Sequence, residues 1–150
     1  MRLRIAVALA CFVALPLLAR EARLEGEVQN RTKALLRAES AKCSNGTVER
    51  GSGKDVPAGE VGTFTCDGTM EPRGSSRYAI FEGNRKVGSI LIEYPSTNPR
   101  QQYKGFSCQI TNESPTVYFC VVKDATTCDR YNDRQPCVMR YRAEIITRSK

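Results

Sequence analysis

The cysteines constrain this chain more than any other feature of its sequence. Of the 7 cysteines, all but Cys11 lie between residues 43 and 137, and Cys11 belongs to an apolar run near the N-terminus. An even number of cysteines in a small domain of an oxidising compartment predicts three disulfides. Each bridge contributes about 2 to 4 kcal/mol, a large share of a domain's net stability of about 5 to 15 kcal/mol. The predicted disulfide cysteines are Cys43, Cys66, Cys108, Cys120, Cys128 and Cys137.

Residues 1–19 are typical of a secretory signal peptide. Two arginines precede an apolar run over residues 5–18, which is shorter than the roughly 20 residues that a membrane-spanning helix requires. We expect cleavage after Ala19, with a cut after Ala22 as the alternative because Leu17, two residues before Ala19, is large for its position. The polar C-terminus lacks the hydrophobic tail of a lipid-anchor signal. We therefore expect a secreted, extracellular protein without a transmembrane segment, either released or held at a cell surface by a partner.

Residues 20–42 are dense in charge and in helix-forming residue types. Their only sizeable apolar side chains are Leu24, Val28, Leu35 and Leu36, a pattern that indicates a weak amphipathic helix. Because the segment precedes the first cysteine of the framework, we expect a charged leader that is helical or disordered. It would be a pro-segment or a spacer, with a partner-binding helix as the alternative.

From residue 43 to residue 150 the sequence changes to turn-forming residues and short β-prone runs. Residues 77–82 and 86–94 flank a Gly-Asn pair, which predicts a hairpin. In residues 137–145 the odd positions are apolar and the even positions mostly charged, which predicts a strand with one buried face. At least six such strands and no helix favour one all-β domain, a disulfide-stapled antiparallel β-sandwich. The other predicted strands cover residues 61–66, 103–110 and 116–122.

The chain contains no histidine, which removes the commonest general base, the usual serine and cysteine triads, and most zinc and copper sites. Closely spaced cysteine pairs of the zinc-site type are also missing, so we expect no metal and no cofactor. A pair of carboxylates would still permit glycoside hydrolysis, but the acids lie mostly beside turns or basic residues, as solvated charges do. We predict a binding protein rather than an enzyme, with a small hydrolase as the catalytic alternative.

Positive charge is the feature that points to a ligand. The net charge is +7, and it is +5 once Arg2 and Arg4 leave with the signal peptide. A basic excess favours sulfated or acidic glycans, and secretion argues against nucleic acid as a partner. Arginines near turns and cysteines would offer forked donors to sulfate or carboxylate groups, or would alternatively form a solubilising face that protects sheet edges. The candidate ligand-binding residues are Arg85, Lys86, Arg100, Lys104, Arg130, Arg134, Arg140 and Arg142.

Three N-glycosylation motifs agree with a secretory route. Asn30, Asn45 and Asn112 each have a serine or threonine two positions later. In the third motif Pro115 follows directly and stiffens the backbone next to the acceptor. We therefore predict a glycoprotein with these three asparagines as candidate acceptors.

Four segments carry a family resemblance: Cys43, residues 62–72 (GTFTCDGTMEP), residues 116–120 (TVYFC) and residues 137–143 (CVMRYRA). In cysteine order and strand texture they resemble the SRS superfamily of coccidian (apicomplexan) surface antigens, which are six-cysteine β-sandwich domains. The resemblance implies host-cell attachment or immune modulation, with a host protein receptor or a glycan as partner. It also implies nested disulfides: Cys43 to Cys137, Cys66 to Cys128 and Cys108 to Cys120.

An immunoglobulin-like domain is the rival resemblance. Residues 59–66 (GEVGTFTC) resemble its B strand, and residues 118–120 (YFC) place a tyrosine two residues before a cysteine, as in the tyrosine corner. This alternative requires a bridge between Cys66 and Cys120, and the chain has no tryptophan for the core position. Two functions stay open: an adhesion or host-interaction protein, and a secreted inhibitor or effector in which a disulfide-framed loop such as residues 120–137 blocks an enzyme or receptor.

Overall fold

The structure is a computed structural model of the chain, and it describes residues 21–95, 102–127 and 137–148. These residues contain eight β-strands and no helix, so the prediction of an all-β fold is confirmed. The predicted signal peptide lies outside the described residues. The strands are β1 (Glu21–Asn30), β2 (Leu35–Val48), β3 (Val61–Glu82), β4 (Arg85–Tyr94), β5 (Gln102–Tyr103), β6 (Phe106–Asn112), β7 (Tyr118–Thr126) and β8 (Cys137–Thr147).

The strands form one sheet in the order β5-β6-β4-β3-β1-β8-β7, with β2 also paired to β3. Strand β3 has 22 residues and pairs with three other strands. One of its edges pairs first with β1 and then, after the chain passes residue 73, with β4, while β2 runs along the opposite edge. Where the pairing partner of β3 changes from β1 to β4, a Cβ on Gly74 would lie 2.7 Å from Leu24 and 2.8 Å from Phe64. Because glycine has no side chain, the part of the sheet that contains β1 and the part that contains β4 can curl over one shared core.

The sheet curls until its two ends meet. Strand β5 covers only the start of β6, and the rest of β6 contacts β7. The disulfide between Cys108 and Cys120 joins these two strands. Beyond it, Asn112 accepts a hydrogen bond from the backbone N–H of Tyr118 at 2.9 Å and donates one to its carbonyl at 3.2 Å. The predicted sandwich is therefore corrected to a single, nearly closed, barrel-like sheet, because the end strands join each other instead of stacking as two layers.

Residues 21–42 form β1 and the first part of β2, so the prediction of a helical or disordered leader over residues 20–42 is wrong. Strand β1 lies inside the sheet, antiparallel to β3 and parallel to β8, which also corrects the all-antiparallel prediction. Its even positions, including Ala22, Leu24 and Val28, are buried, while charged residues occupy most odd positions. This period of two suits a strand with one buried face, and packing overrides the helix propensity of its charged residues.

Side chains from the long strands fill the interior. The Phe106 ring lies 4.6 Å from Tyr94 and 5.2 Å from Tyr141 between ring centroids, a range typical of favourable tilted aromatic pairs. The predicted buried face of β8 is confirmed, and so is the hairpin, which β3 and β4 form. The buried residues of β8 are Cys137, Met139, Tyr141, Ala143 and Ile145.

The disulfides differ from those that the two resemblances imply. Cys43 is bonded to Cys66, with the Cα atoms 5.7 Å apart. The register places Cys43 opposite Gly74 and Cys66 opposite Val48, and the irregularity between Ser44 and Gly46 lies between these two pairs. This bond rules out the implied bridges from Cys43 to Cys137, from Cys66 to Cys128 and from Cys66 to Cys120. The bridge between Cys108 and Cys120 is confirmed. Cys137 is also disulfide-bonded, and Cys128 lies outside the described residues.

Asn30 is a fully buried polar residue that joins three segments where β1 ends. Its amide nitrogen donates to the carbonyls of Ala34 at 2.8 Å, Val56 at 3.0 Å and Pro57 at 3.1 Å. Its side-chain oxygen accepts from the backbone N–H and the hydroxyl of Thr32 at 3.1 and 2.7 Å. All of its hydrogen-bonding capacity is thus used inside the fold. The structure thus encloses the side chain of this predicted glycan acceptor in the interior.

Gly26 is the first position at which the fold can be tested. It pairs with Tyr141 across β1 and β8, and a Cβ on it would lie 2.1 Å from Tyr141 Cζ. We expect Gly26→Ala to lower the free energy of unfolding by about 1 to 3 kcal/mol, because the buried ring cannot move without overpacking the core. Urea denaturation measures the change, with Gln29→Ala in the same strand as the control. An unchanged midpoint in Gly26→Ala would contradict this packing.

The buried tyrosines predict a loss of stability in alkali. Burial raises the pKa of Tyr78 and Tyr141 above the ordinary value of 10.0. Above that pH the unfolded chain binds fewer protons than the folded one, so the free energy of unfolding falls by up to about 1.4 kcal/mol per pH unit and tyrosine. Below it the contribution is constant. Urea denaturation across this range tests the slope.

Two phenylalanine variants separate the buried tyrosines from exposed ones. Tyr78→Phe removes one buried ionisable group and should make the alkaline slope shallower. Tyr103→Phe alters a side chain that is 43% exposed and should leave the slope unchanged. Equal slopes in the two variants would contradict the assignment.

Candidate functional site

The outer face of β1 and β8 carries a row of ion pairs, which we call the charge ladder (Arg23, Glu25, Glu27, Arg140 and Arg142). Arg140 Nε lies 2.8 Å from Glu25 and Arg142 Nε lies 3.1 Å from Glu27, because the parallel register places each arginine beside a glutamate. Arg23 Nε lies 2.9 Å from Glu25. Two of the predicted ligand-binding arginines are therefore already paired with carboxylates.

A shallow groove of about 190 Å³ runs along the charge ladder. Its lining contains Glu25, Glu27 and Asp124 against Arg140 and Arg142, so acids outnumber bases. The hydrogen bond from Arg140 holds the pKa of the Glu25 carboxyl below its usual value, which keeps that carboxylate charged. This groove does not favour an anion.

Arg85 and Lys86 lie at the start of β4, directly after the turn that follows β3, and are separate from the charge ladder. Arg85 is 3.7 Å from Glu82, and Lys86 Nζ is 2.9 Å from Glu39. The Glu82 carboxylate also accepts a hydrogen bond from the Tyr118 hydroxyl at 2.6 Å, and that bond lowers the pKa of Glu82. Both predicted basic residues are therefore already paired with carboxylates.

Lys104 lies at the turn between β5 and β6. Its ammonium donates to the carbonyl of Ala125 at 2.8 Å and lies 5.5 Å from the centre of the Tyr103 ring. The structure thus distributes the described members of the predicted basic face over three places, each with its own acceptors. The predicted residues outside the described part of the chain are Arg100, Arg130 and Arg134.

Three other basic side chains share the outer face of β2 and β3. Lys42 pairs with Ser75, and the flanking pairs are Ser44 with Arg73 and Ser40 with Arg77. Residues opposite each other in paired strands project to the same side, so Lys42 lies diagonally between the two arginines. All three cations are exposed, and no carboxylate in the described residues forms an ion pair with any of them.

An open groove of about 280 Å³ lies beside these cations, and we call it the basic groove. Among its described lining residues Glu93 is the one acid, and that carboxylate accepts a hydrogen bond from Ser107 at 3.5 Å. Lys42 and Arg73 offer ammonium and guanidinium donors, and the neighbouring serines offer hydroxyls. Such a set suits the oxygens of a sulfate or carboxylate. The lining residues are Lys42, Ser44, Arg73, Gly74, Ser75, Glu93, Tyr94 and Pro95.

The residues of the basic groove are not among the predicted binding residues. Lys42 belongs to the predicted leader, and residues 73–76 lie in no predicted strand. A period of two is present before residue 77, since buried positions alternate with Arg73, Ser75 and Arg77. This pattern predicts a strand that begins earlier than residue 77. The approach of Lys42 to these arginines follows from the pairing of β2 with β3, which no local pattern shows.

Strand β7 and the residue before it expose an apolar strip (Val117, Phe119 and Val121). These side chains are 44%, 38% and 38% exposed, and Phe119 pairs with Ile146 of β8. The inward-facing Tyr118 between them is buried. A contiguous exposed apolar strip is typical of a surface that contacts another protein.

No known protein family matches the chain, and no curated protein matches it either. Within the three described ranges, no group of three or more Cys, Asp or Glu residues is placed to hold a metal ion. No helix in those ranges is long and apolar enough to cross a membrane. The resemblance to SRS proteins therefore stays a prediction.

The Glu25 carboxyl tests the charge ladder directly. Because Arg140 hydrogen-bonds to it, we expect its pKa to be lower than 4.5 in an NMR titration of the side-chain carboxyl carbon. Arg140→Gln should raise this pKa towards its ordinary value, while Arg148→Gln, on an exposed residue outside the ladder, should leave it unchanged. A Glu25 titration that does not respond to Arg140→Gln would contradict the pairing.

Proposed function

We propose that this chain is a secreted or surface-associated binding protein of the adhesion or host-interaction type, and that its basic groove takes an acidic glycan, a sulfated one by preference. The observation that carries the proposal is the set of three exposed cations, Lys42, Arg73 and Arg77, which have no acidic partner in the described residues. Like charges side by side on one face of a sheet repel, and a bound anion removes that repulsion.

The chemistry of the groove favours sulfate. A guanidinium presents parallel N–H donors that match two oxygens of a sulfate or carboxylate, and the lysine adds a compact charge. Ser44 and Ser75 supply neutral donors to the remaining oxygens. The groove is open rather than enclosed, and a site for part of a longer glycan chain has to be open. Binding through so few charges would be salt-dependent, because exposed charges are screened.

The location of the protein is proposed on separate grounds. Disulfides persist in oxidising compartments, and the two described bonds agree with an extracellular domain. The predicted signal peptide and the resemblance to SRS surface antigens support the same location and an attachment role. We assign no catalytic residue and no cofactor.

A protein partner is the second candidate, and the apolar strip on β7 is the observation that favours it. Exposed aromatic and aliphatic side chains beside a polar rim suit the core of a protein interface. In this alternative the chain is a secreted inhibitor or effector that blocks an enzyme or a receptor.

Heparin chromatography of the purified protein tests the glycan proposal. We expect Lys42→Ser with Arg73→Ser to elute at clearly lower salt and to bind a sulfated oligosaccharide about tenfold more weakly, the loss of one charge-assisted hydrogen bond or more. The matched control is Arg140→Ser with Arg142→Ser, which removes the same charge from the ladder and should bind like the wild type.

The two pairs of variants make the outcome decisive. An equal loss in both would show attraction by net charge alone and would overturn the groove as the site. No binding by the wild type would reject the glycan proposal in favour of a protein partner. Phe119→Ser, in the apolar strip, should leave heparin binding unchanged if the glycan proposal is correct.

A further inference from the structure

The three N-glycosylation motifs occupy very different places in the fold. We infer that Asn45 is the acceptor that carries the glycan and that Asn30 and Asn112 stay unmodified in the folded protein. The inference rests on the secretory route of the proposed function but not on the basic groove.

A glycan on Asn30 is incompatible with the fold because of burial and hydrogen bonding. Its exposed fraction is 0%, and both N–H groups of its amide point at carbonyls within 3.1 Å. The hydroxyl of its motif, on Thr32, is 6% exposed and donates to the Asn30 side-chain oxygen. An attached sugar would take one amide hydrogen and would need space that the packed interior does not have.

Asn112 is exposed, but its side chain is used by the fold. It bonds both the N–H and the carbonyl of Tyr118, and so it continues the closure between β6 and β7 beyond the Cys108 disulfide. Its motif hydroxyl, on Ser114, accepts a hydrogen bond from Thr116 in a turn that contains Pro115. A glycan on Asn112 would compete with the contact that closes the sheet.

Asn45 has none of these restraints. It lies in a bulge of β2, where the register with β3 shifts between Ser44 and Gly46, and its φ of 65° is a left-handed conformation that asparagine tolerates. Asn45 and the motif residue Thr47 are both exposed. No hydrogen bond to the Asn45 side chain is present among the described residues. The bulge presents the amide and the hydroxyl of this motif to solvent.

Glycan mapping tests the inference on the full chain, expressed in a eukaryotic secretory host and collected from the medium. We expect one glycan, located on Asn45 by mass spectrometry of glycopeptides and removed by an endoglycosidase. Thr47→Ala should abolish it while keeping Asn45 and its backbone conformation, and Thr47→Ser should restore it. Asn112→Gln should leave the glycan mass unchanged.

Asn30 has a different signature. Asn30→Gln should not change the number of glycans, but it should lower the thermal midpoint of the secreted protein, because the larger side chain cannot repeat the hydrogen bonds that join the three segments. Thr47→Ala should remove the Asn45 glycan with little change in the midpoint, because it leaves the residue at positive φ in place. The two effects separate a structural asparagine from a modified one.

Several results would overturn the inference: a glycan on Asn30 or Asn112 of the secreted protein, or a secreted protein with Asn45 unmodified. Absence of the chain from the medium would also overturn it, through the secretory route. None of these results would alter heparin binding by the purified, unglycosylated protein, so failure here and failure of the proposed function are distinguishable.

Discussion

The length of β3 is the constraint on which the rest of the fold depends. In the strand order of the described residues β3 joins the two halves of the sheet, since β8 and β7 follow from its pairing with β1, and β6 and β5 follow from its pairing with β4. A 22-residue strand stays in one curled sheet when neighbouring segments can approach its backbone closely. Gly68 leaves space for the backbone of β2, and Gly74 leaves space for core side chains. The bond from Cys43 to Cys66 then holds β2 along the strand.

Cations on the outer surface lie either beside glutamates or beside serines, and the strand register determines which. Beside β8, parallel pairing sets Arg140 and Arg142 next to glutamates, and such exposed pairs contribute little to stability while leaving no charge for a ligand. Beside β2, antiparallel pairing sets Lys42 and two arginines next to serines, so their charge is not cancelled. Composition counts all of these cations alike, although in the described residues only the first group is paired with carboxylates.

Features that depend on neighbouring residues were predictable from the sequence, whereas features that depend on contacts between distant segments were not. The alternation in β8 and the turn after Glu82 are written within a few residues of chain, so both were predictable. Strand β1 was mistaken for a helix because its glutamates and arginines favour helices, while Ala22 and Gly26 are too small to mark a buried face. The bond of Cys43 to Cys66, the partners of Arg140 and Arg142, and the basic groove all depend on pairings between strands that lie far apart along the chain.

The parallel pairing of β1 with β8 has a consequence for the order of events in folding. Arg140 and Glu25 are 115 residues apart along the chain, yet their strands are neighbours. During synthesis β1 emerges long before β8, and it lacks one of its two neighbours until β8 has been made. High contact order of this kind slows folding, because loop-closure entropy is lost before distant contacts stabilise the chain. The sheet therefore cannot be completed before residues 137–147 are available, and the strand made first is among the last to gain both neighbours.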